Sequence, residues 1–466
     1  MFDILLNSSK EQISYAAVLI NNIILKTDTS KKFKDFCDPY LLNSYSHQNH
    51  DYLKVKDPKS EEVLNQEEGY IFHIYTEGKI KDDLKDKFYL LSKKLSEIYP
   101  CKIVFYERDE NIFKKQHLTS WNGSYATYMK TLAFVELENK LDYILYVDLD
   151  MHILCDLREL FAINLEEKVM ASVALGTGVG VSINSIDKTT ELKLNSKWYN
   201  IAFSLVSLKN YKKQDINKKF FDILDNYEIT HAPEELIYNF IIKDRIKLPL
   251  SYNFVLGSYM QDTFESDAMY KFESHGGYFL YSLDFYKKFL KNAKVLHYSG
   301  WCMKPWDKPI YWHNVFGLNN EMIEYACFNL WWDTALKTPY FEEYFKNLKQ
   351  ENERYIQNYA LNILSHKIRD LFEQVKQKEN NLNSFSEQVL HVKQQLSSFT
   401  EQKIQNKNEV ITIKDQSYKK HLSYQLGVEL IKAWKNKWGG GFIKFPFVAC
   451  RIAKEFKARQ LRDDKN

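Results

Sequence analysis

The sequence predicts an α/β fold built on a parallel, doubly wound sheet, followed by a long coiled-coil helix and a short basic tail. Three observations carry that expectation. Strand-like and helix-like stretches alternate from Phe2 onward, the pattern of βαβ units. One apolar strand, in LDYILYVDLDMHIL from Leu141 to Leu154, ends abruptly in two aspartates. A heptad of apolar residues runs unbroken from Leu361 to Phe399.

Phe2 to Leu6 reads as the first strand, Asn7-Ser8-Ser9 as a polar turn, and Ile13 to Leu25 as a buried helix. This βα start places a helix N-terminus at the carboxyl edge of the sheet, where phosphates bind readily. From Ser30 to Glu68 the chain is polar and aperiodic, which reads as an insertion. Tyr70 to Tyr75 is a second strand, Asp82 to Tyr99 an amphipathic helix, Lys102 to Tyr106 a third strand and Trp121 to Leu137 a helix.

The opening strand, Tyr143 to Val147, shows no polar alternation, as expected of a strand covered on both faces. Asp148 and Asp150 follow it on one side of the chain. Two neighbouring carboxylates repel unless a cation lies between them, and Mg²⁺ or Mn²⁺ suits oxygen ligands. An Asp-x-Asp also arises by chance in a chain this long, so the pair needs support from elsewhere.

Asp156 to Phe161 reads as a short helix and Val169 to Leu175 as a strand. GTGVGVS, from Gly176 to Ser182, lacks the spacing and context of a dinucleotide loop and reads as a flexible loop. Asn200 lies inside the apolar stretch Trp198 to Leu208, as a structural hydrogen-bonder or a sugar contact. HAPEELIYNFI starts a helix in which Glu234 and Glu235 suit the positive end of the dipole, so capping alone accounts for them too. KVLHYSGWCMKPW, Lys294 to Trp306, is a strand, then His297, a Gly-containing turn and Lys304. A lone His is usually structural. At a strand end it offers a third metal ligand, and Lys304 a phosphate-neutralising cation.

The heptad has Leu361, Ile368, Val375, Leu382, Val389 and Leu396 at a, and Leu364, Leu371, Lys378, Phe385, Val392 and Phe399 at d. The narrow seam and polar remaining faces favour a coiled coil, and hence a homo-oligomer, over a helix packed on the domain before it. Gln405 to Lys420 reads as a linker. Lys432 to Arg462 carries nine Lys and Arg against one Glu, with interleaved aromatics, and Gly439-Gly440-Gly441 and Pro446 divide it into two short helices. That composition suits an anionic membrane surface, with nucleic acid as the competing target. The boundaries expected are 1–346 for the first domain with an insertion at about 30–68, 347–404 for the coil, and 405–466 for linker and tail.

The totals fit this division. A chain of 466 residues with 45% hydrophobic and 27% charged residues buries a sizeable core. A net charge of +3 argues against nucleic-acid binding by the whole chain. Six scattered cysteines without a C-x-x-C pair favour a reducing compartment and no zinc knuckle. The first residues lack a basic n-region and no apolar run spans a bilayer, so a cytoplasmic protein is expected, peripheral on the inner face of the membrane.

The order strand-Asp-x-Asp, YNIAFSLVSLKNY, PEELIYN, HYSGWCMKPW and NLWWDTALKTPYFEEYF resembles family-8 glycosyltransferases, retaining enzymes of the lipopolysaccharide galactosyl- and glucosyltransferase type. The resemblance covers about residues 2–346. It implies a GT-A type, Rossmann-like, mixed and mostly parallel sheet flanked by helices. It implies that Asp148, Asp150 and His297 bind Mn²⁺ (or Mg²⁺) on the diphosphate of a UDP-sugar, with Lys304 and the Gly300 backbone on the same phosphates. Lys130 stands where the family usually has a donor-touching Arg, and Asn200 where it has a sugar-contacting Asn. Asn7 and Ser9 lie near the nucleoside, and Tyr146 and Leu149 flank the acids. Departures are visible. Ser9 and Gln12 replace the usual acid and aromatic for uracil, Ile201-Ala202 a small pair, and Ala174 an acid. His297 to Lys304 is one residue longer than the commonest spacing. Pro233-Glu234-Glu235 replaces Asp-Gln-Asp, a place under the β-face of the anomeric carbon. That makes Glu234 a candidate nucleophile or ion-pair stabiliser, and Glu235 a residue that orients the sugar.

The function expected is metal-dependent, retaining transfer of galactose or glucose to a lipooligosaccharide, capsule or other surface glycan. A non-catalytic coiled-coil scaffold and a protein-directed glucosyltransferase are the alternatives.

Overall fold

The computed structural model describes residues 1–38, 53–109, 111–114, 118, 120, 124–178, 180–229, 233–263, 280–300, 302–317, 321–403, 422–436 and 441–463. It holds two compact units, Met1–Ala360 and Leu361–Asn466.

The first unit is organised on a seven-stranded sheet in the order β10-β6-β9-β4-β1-β2-β3. Its strands are β1 Phe2–Ser9, β2 Tyr70–Glu77, β3 Cys101–Arg108, β4 Tyr143–Val147, β6 Met170–Thr177, β9 Lys197–Ser207 and β10 Ile246–Leu248. β3, β2, β1 and β4 run parallel, as do β6 and β10. β9 is antiparallel to both its neighbours, so the sheet is mixed and mostly parallel. A second sheet, β11-β12-β5, joins Phe254–Val255, Val295–His297 and Met151–Ile153. A ribbon of β7, Val181–Asn184, and β8, Glu191–Leu194, stands apart.

Strand alternation sorts the core into two layers. Ile4, Leu6, Leu145 and Val147 point to the side covered by the helix Ile13–Leu25. Leu5, Ile144 and Tyr146 point to the side covered by the helices Met129–Leu137 and Pro233–Ile241. Both faces of the central strands are therefore buried, which is why their sequence shows no alternation.

Several local expectations change. β1 continues through Asn7, Ser8 and Ser9, because all three pair with β2 and are buried, so they form strand rather than turn. The helix expected from Trp121 begins at Met129, after a 3₁₀ turn at Ala126–Tyr128, and 121–123 lie outside the described residues. GTGVGVS is mostly the end of β6 and the start of β7, with Val181 packed inward. The insertion is tied down: Val55 bridges Ile163, and Phe33, Phe36, Leu53 and Val63 are buried. Arg158, wholly buried, binds Asp156, Glu68 and the carbonyls of Asp28 and Lys31.

The helix Glu342–Lys403 begins in the first unit and continues into the second. In the second unit Leu382 and Phe385 of the heptad are each 63% exposed, and Leu361, Leu371, Val389 and Val392 are exposed as well. The side chains of Leu396 and Phe399, and the stretch Gln405 to Lys420, lie outside the described residues. The tail forms helices Leu422–Lys435 and Gly441–Asp463 packed against each other. Gly441 sits where a Cβ would come within 2.5 Å of the Ala433 carbonyl. Pro446 does not break the second helix, since near its start the ring forfeits one ladder hydrogen bond.

Candidate active site

The carboxyl ends of β1, β2 and β4 open into a cavity of about 1160 Å³. Of the residues singled out in the sequence, Asn7, Ser9, Gln12, Lys130, Tyr146, Asp148, Leu149, Asp150, Asn200, Glu234, Glu235, His297 and Lys304 line it. Gly300 lies just outside, exposed in the left-handed conformation at φ 81°, beside the lining residue Ser299.

Backbone pairing assembles the acidic centre. β4 ends at Val147, and the Asp148 N–H donates to the Ala202 carbonyl of β9 at 2.9 Å. β5 leaves at once and pairs antiparallel with β12, which sets His297 opposite Met151. Ligand atoms of Asp148, Asp150 and His297 consequently lie within 4.8 Å of one another. His297 Nε2 is 3.4 Å from Asp150 Oδ1, and Lys304 Nζ is 3.0 Å from Asp150 Oδ2.

The two aspartates differ in charge preference. Burial pushes both carboxyls up. In Asp150, Lys304 and His297 outweigh burial and hold it well below the usual carboxylate range. In Asp148 burial prevails, opposed by Lys130 and reinforced by Asp150, so its carboxyl is raised. The Tyr146 hydroxyl also donates to Asp148, which accounts for a tyrosine two residues before the acid.

The second acid pair opens the helix Pro233–Ile241. Glu234 Oε1 accepts from buried Lys130 at 3.0 Å, and the Lys130 ammonium lies 4.6 Å from the Tyr146 ring centroid. Glu234 Oε2 is buried without a hydrogen-bond partner. Glu235 is the opposite. Its Oε1 accepts from Trp198 Nε1 at 2.6 Å, and its Oε2 from Asn200 Nδ2 at 2.9 Å and the Ile201 N–H at 3.4 Å. Burial, then the neighbouring Glu234, push the Glu235 carboxyl up to about 7. Lys130 and Glu234, both departures from the family pattern, are thus partners. Burial alone would lower the Lys130 ammonium, and Glu234 and Asp148 overcome it.

Sequence reasoning missed Asn253 and Trp198. Asn253 is fully buried and accepts at Oδ1 from His297 Nδ1, 2.8 Å away. A histidine that presents Nε2 to a metal is ordinarily held this way at Nδ1. The donor set therefore fits a hard divalent cation: two carboxylates, and one imidazole nitrogen with its lone pair turned toward them. No spacing rule points to Asn253 from sequence, because it joins the site only through the pairing of β11 with β12.

A family model described as glycosyl transferase family 8 matches residues 3–309. A second, a domain of unknown function, matches residues 412–458. Among curated proteins, the chain is 28% identical over 185 residues to a lipopolysaccharide 1,3-galactosyltransferase of Salmonella typhimurium, covering 39% of this chain and 53% of that one. It is 26% identical over 230 residues to the glycosyltransferase GlyB of Streptococcus pneumoniae, covering 48% and 49%. It is 24% identical over 296 residues to a lipopolysaccharide 1,2-glucosyltransferase of Escherichia coli, covering 61% and 78%. The chain spans about half the length of the first two of these relatives. With the model running through both sheets, from β1 to just beyond Lys304, the chain belongs to glycosyl transferase family 8.

Proposed function

We propose that the protein is a metal-dependent, retaining hexosyltransferase that moves galactose or glucose from a UDP-sugar to a lipooligosaccharide, capsule or other surface glycan. The observation that carries the reading is the cluster Asp148, Asp150 and His297 with Lys304 at its edge, on one cavity wall. A divalent cation held there, Mn²⁺ or Mg²⁺, supplies a Lewis acid for the departing diphosphate. Lys304 adds a second positive charge on the same side. The sheet order supports a direction for the donor. Asn7 and Ser9 lie on β1, to one side of β4, and with Leu149, which lines the same cavity, suit the nucleoside. Asn200 lies on β9, to the other side, and with Glu235 suits the hexose.

Glu234 is the residue suited to the anomeric carbon, because it has an uncommitted carboxylate oxygen while both oxygens of Glu235 are bound. In the first displacement Glu234 Oε2 bonds to C1 as the C1–O bond to UDP breaks, its electron pair leaving with the diphosphate. In the second the acceptor oxygen bonds to C1, the ester to Glu234 breaks, and the hydroxyl proton passes to a phosphate oxygen of UDP. Two inversions give retention.

The exposed heptad seam supports a homo-oligomer formed through the coil. The basic tail, with Phe447 75% exposed and Trp434 63% exposed, supports a peripheral position on an anionic inner membrane face. No described helix is long and apolar enough to cross a membrane. The deciding experiment incubates the purified chain with Mn²⁺ and a panel of UDP-sugars, and follows UDP release with and without glycan acceptors. Release from one UDP-hexose, stimulated by acceptor and abolished by chelation, is expected. No release from any donor refutes the reading. Truncation after Lys420 should free the protein from anionic vesicles, and retained binding refutes the anchor.

A further inference from the structure

Four side chains form one hydrogen-bonded chain from the hexose side of the cavity to the metal side. Glu235 Oε2 accepts from Asn200 Nδ2 at 2.9 Å, Asn200 Oδ1 accepts from Asn253 Nδ2 at 2.7 Å, and Asn253 Oδ1 faces His297 Nδ1 at 2.8 Å. The direction of this chain is set by groups that cannot reverse. The Ala202 backbone N–H, 3.2 Å from the same Asn200 atom, can only donate, so that atom is the oxygen. The atom of Asn253 that meets it is then the nitrogen, and the atom facing His297 is the oxygen. An amide oxygen can only accept, so His297 Nδ1 carries a hydrogen. In neutral His297 the lone pair is then on Nε2, the nitrogen 3.4 Å from Asp150. On the far side Glu235 has no freedom either, because the Trp198 and Ile201 N–H groups hold its two oxygens as acceptors.

We infer that Asn253 and Asn200 are positioning residues for the metal: through this chain of fixed polarity they lock His297 in the tautomer that can ligate. The inference rests on the metal-dependent reading above and extends it to residues that touch neither metal nor diphosphate. It gives Asn200 a second task besides any sugar contact, since its Oδ1 and one Nδ2 hydrogen are already committed.

The test measures Mn²⁺ binding to the full chain with UDP but no sugar, by electron paramagnetic resonance of the free ion. It also reads the His297 tautomer from imidazole ¹⁵N shifts in metal-free protein. Asn253→Ala is expected to weaken Mn²⁺ binding by about 10- to 100-fold, the range for loss of a residue that orients a ligand. Asn200→Ala should weaken it several-fold although no sugar is present. Asn253→Asp keeps an acceptor toward Nδ1 but loses the donor to Asn200 Oδ1, so it should keep Nδ1–H while weakening Mn²⁺ binding several-fold, as Asn200→Ala does; the retained tautomer separates lost orientation from lost folding. Wild-type ¹⁵N shifts should show Nδ1–H, and Asn253→Ala a mixture. Unchanged Mn²⁺ affinity in Asn200→Ala and Asn253→Ala, or a wild-type proton on Nε2, overturns the inference. A wild type that binds no Mn²⁺ counts against metal-dependent transfer, while the nitrogen shifts still decide the tautomer.

Discussion

The cavity contains two pairs of acids built to opposite specifications. Asp148 and Asp150 leave a strand end and face a cation and an imidazole; Glu234 and Glu235 open a helix and face a lysine, an indole and an amide. In the first pair Asp150, between Lys304 and His297, is kept ionised, and each aspartate turns one oxygen toward the same place. In the second pair the two residues differ in partners, one oxygen of Glu234 being buried without a hydrogen bond while both of Glu235 accept one. Carboxylate pairs alike in sequence thus differ in environment because of what the fold packs against them. In the reading proposed above, the first shares an ion and the second offers one oxygen to carbon.

Asp150→Ala should do the most damage, because it removes a proposed metal ligand and the partner of Lys304 together. Transfer should fall on the order of 10³-fold or more in a UDP-release assay, and a rate near wild type would remove the first pair from catalysis. Glu234→Gln comes next, expected to slow transfer on the order of 10²-fold; unchanged transfer would place the reacting carboxylate elsewhere. Lys130→Ala leaves Glu234 charged and buried alone, which costs about 3–5 kcal/mol by urea denaturation. The double variant Lys130→Ala/Glu234→Gln should lose less stability than the sum of its two singles, and strict additivity would show that the two side chains do not act as a pair.

The smallest effect concerns pH. Glu235 has a folded pKa of about 7 against an ordinary 4.5, so between those values the folded chain holds a proton that the unfolded chain has lost. The stability this group contributes is full below about 4.5 and is lost as pH rises through about 7. Asp150, with its carboxyl lowered, acts in the opposite sense on acidification. Glu235→Gln should flatten the fall in Tm between those two pH values. An identical slope in variant and wild type would show that Glu235 titrates normally.

Much of this arrangement is legible in sequence. The strand ending in Asp148 and Asp150, His297 at another strand end and Lys304 after a Gly turn all announce themselves by residue type and local pattern. What sequence hides is contact across the chain. Lys130 and Glu234 are 104 positions apart and meet only because two helices cover the same sheet face. Asn253 sits in an unremarked apolar stretch, and nothing local marks it as the partner of His297. β9 follows β6 without an intervening helix, so the βα rhythm that predicts a parallel sheet has no signal for its reversal. Ser8 and Ser9 look like turn residues because a strand end lining a polar cavity tolerates hydroxyls.

Arg158 has a consequence of another kind. It holds the Asp28 and Lys31 carbonyls on one side and Glu68 on the other, so it clamps the two stems of the inserted segment at its base. The entropy of bringing the two stems together is thereby lost at one buried side chain rather than spread along the segment. Removing that one guanidinium would therefore free both stems at once and leave the Asp156 carboxylate buried without its cation.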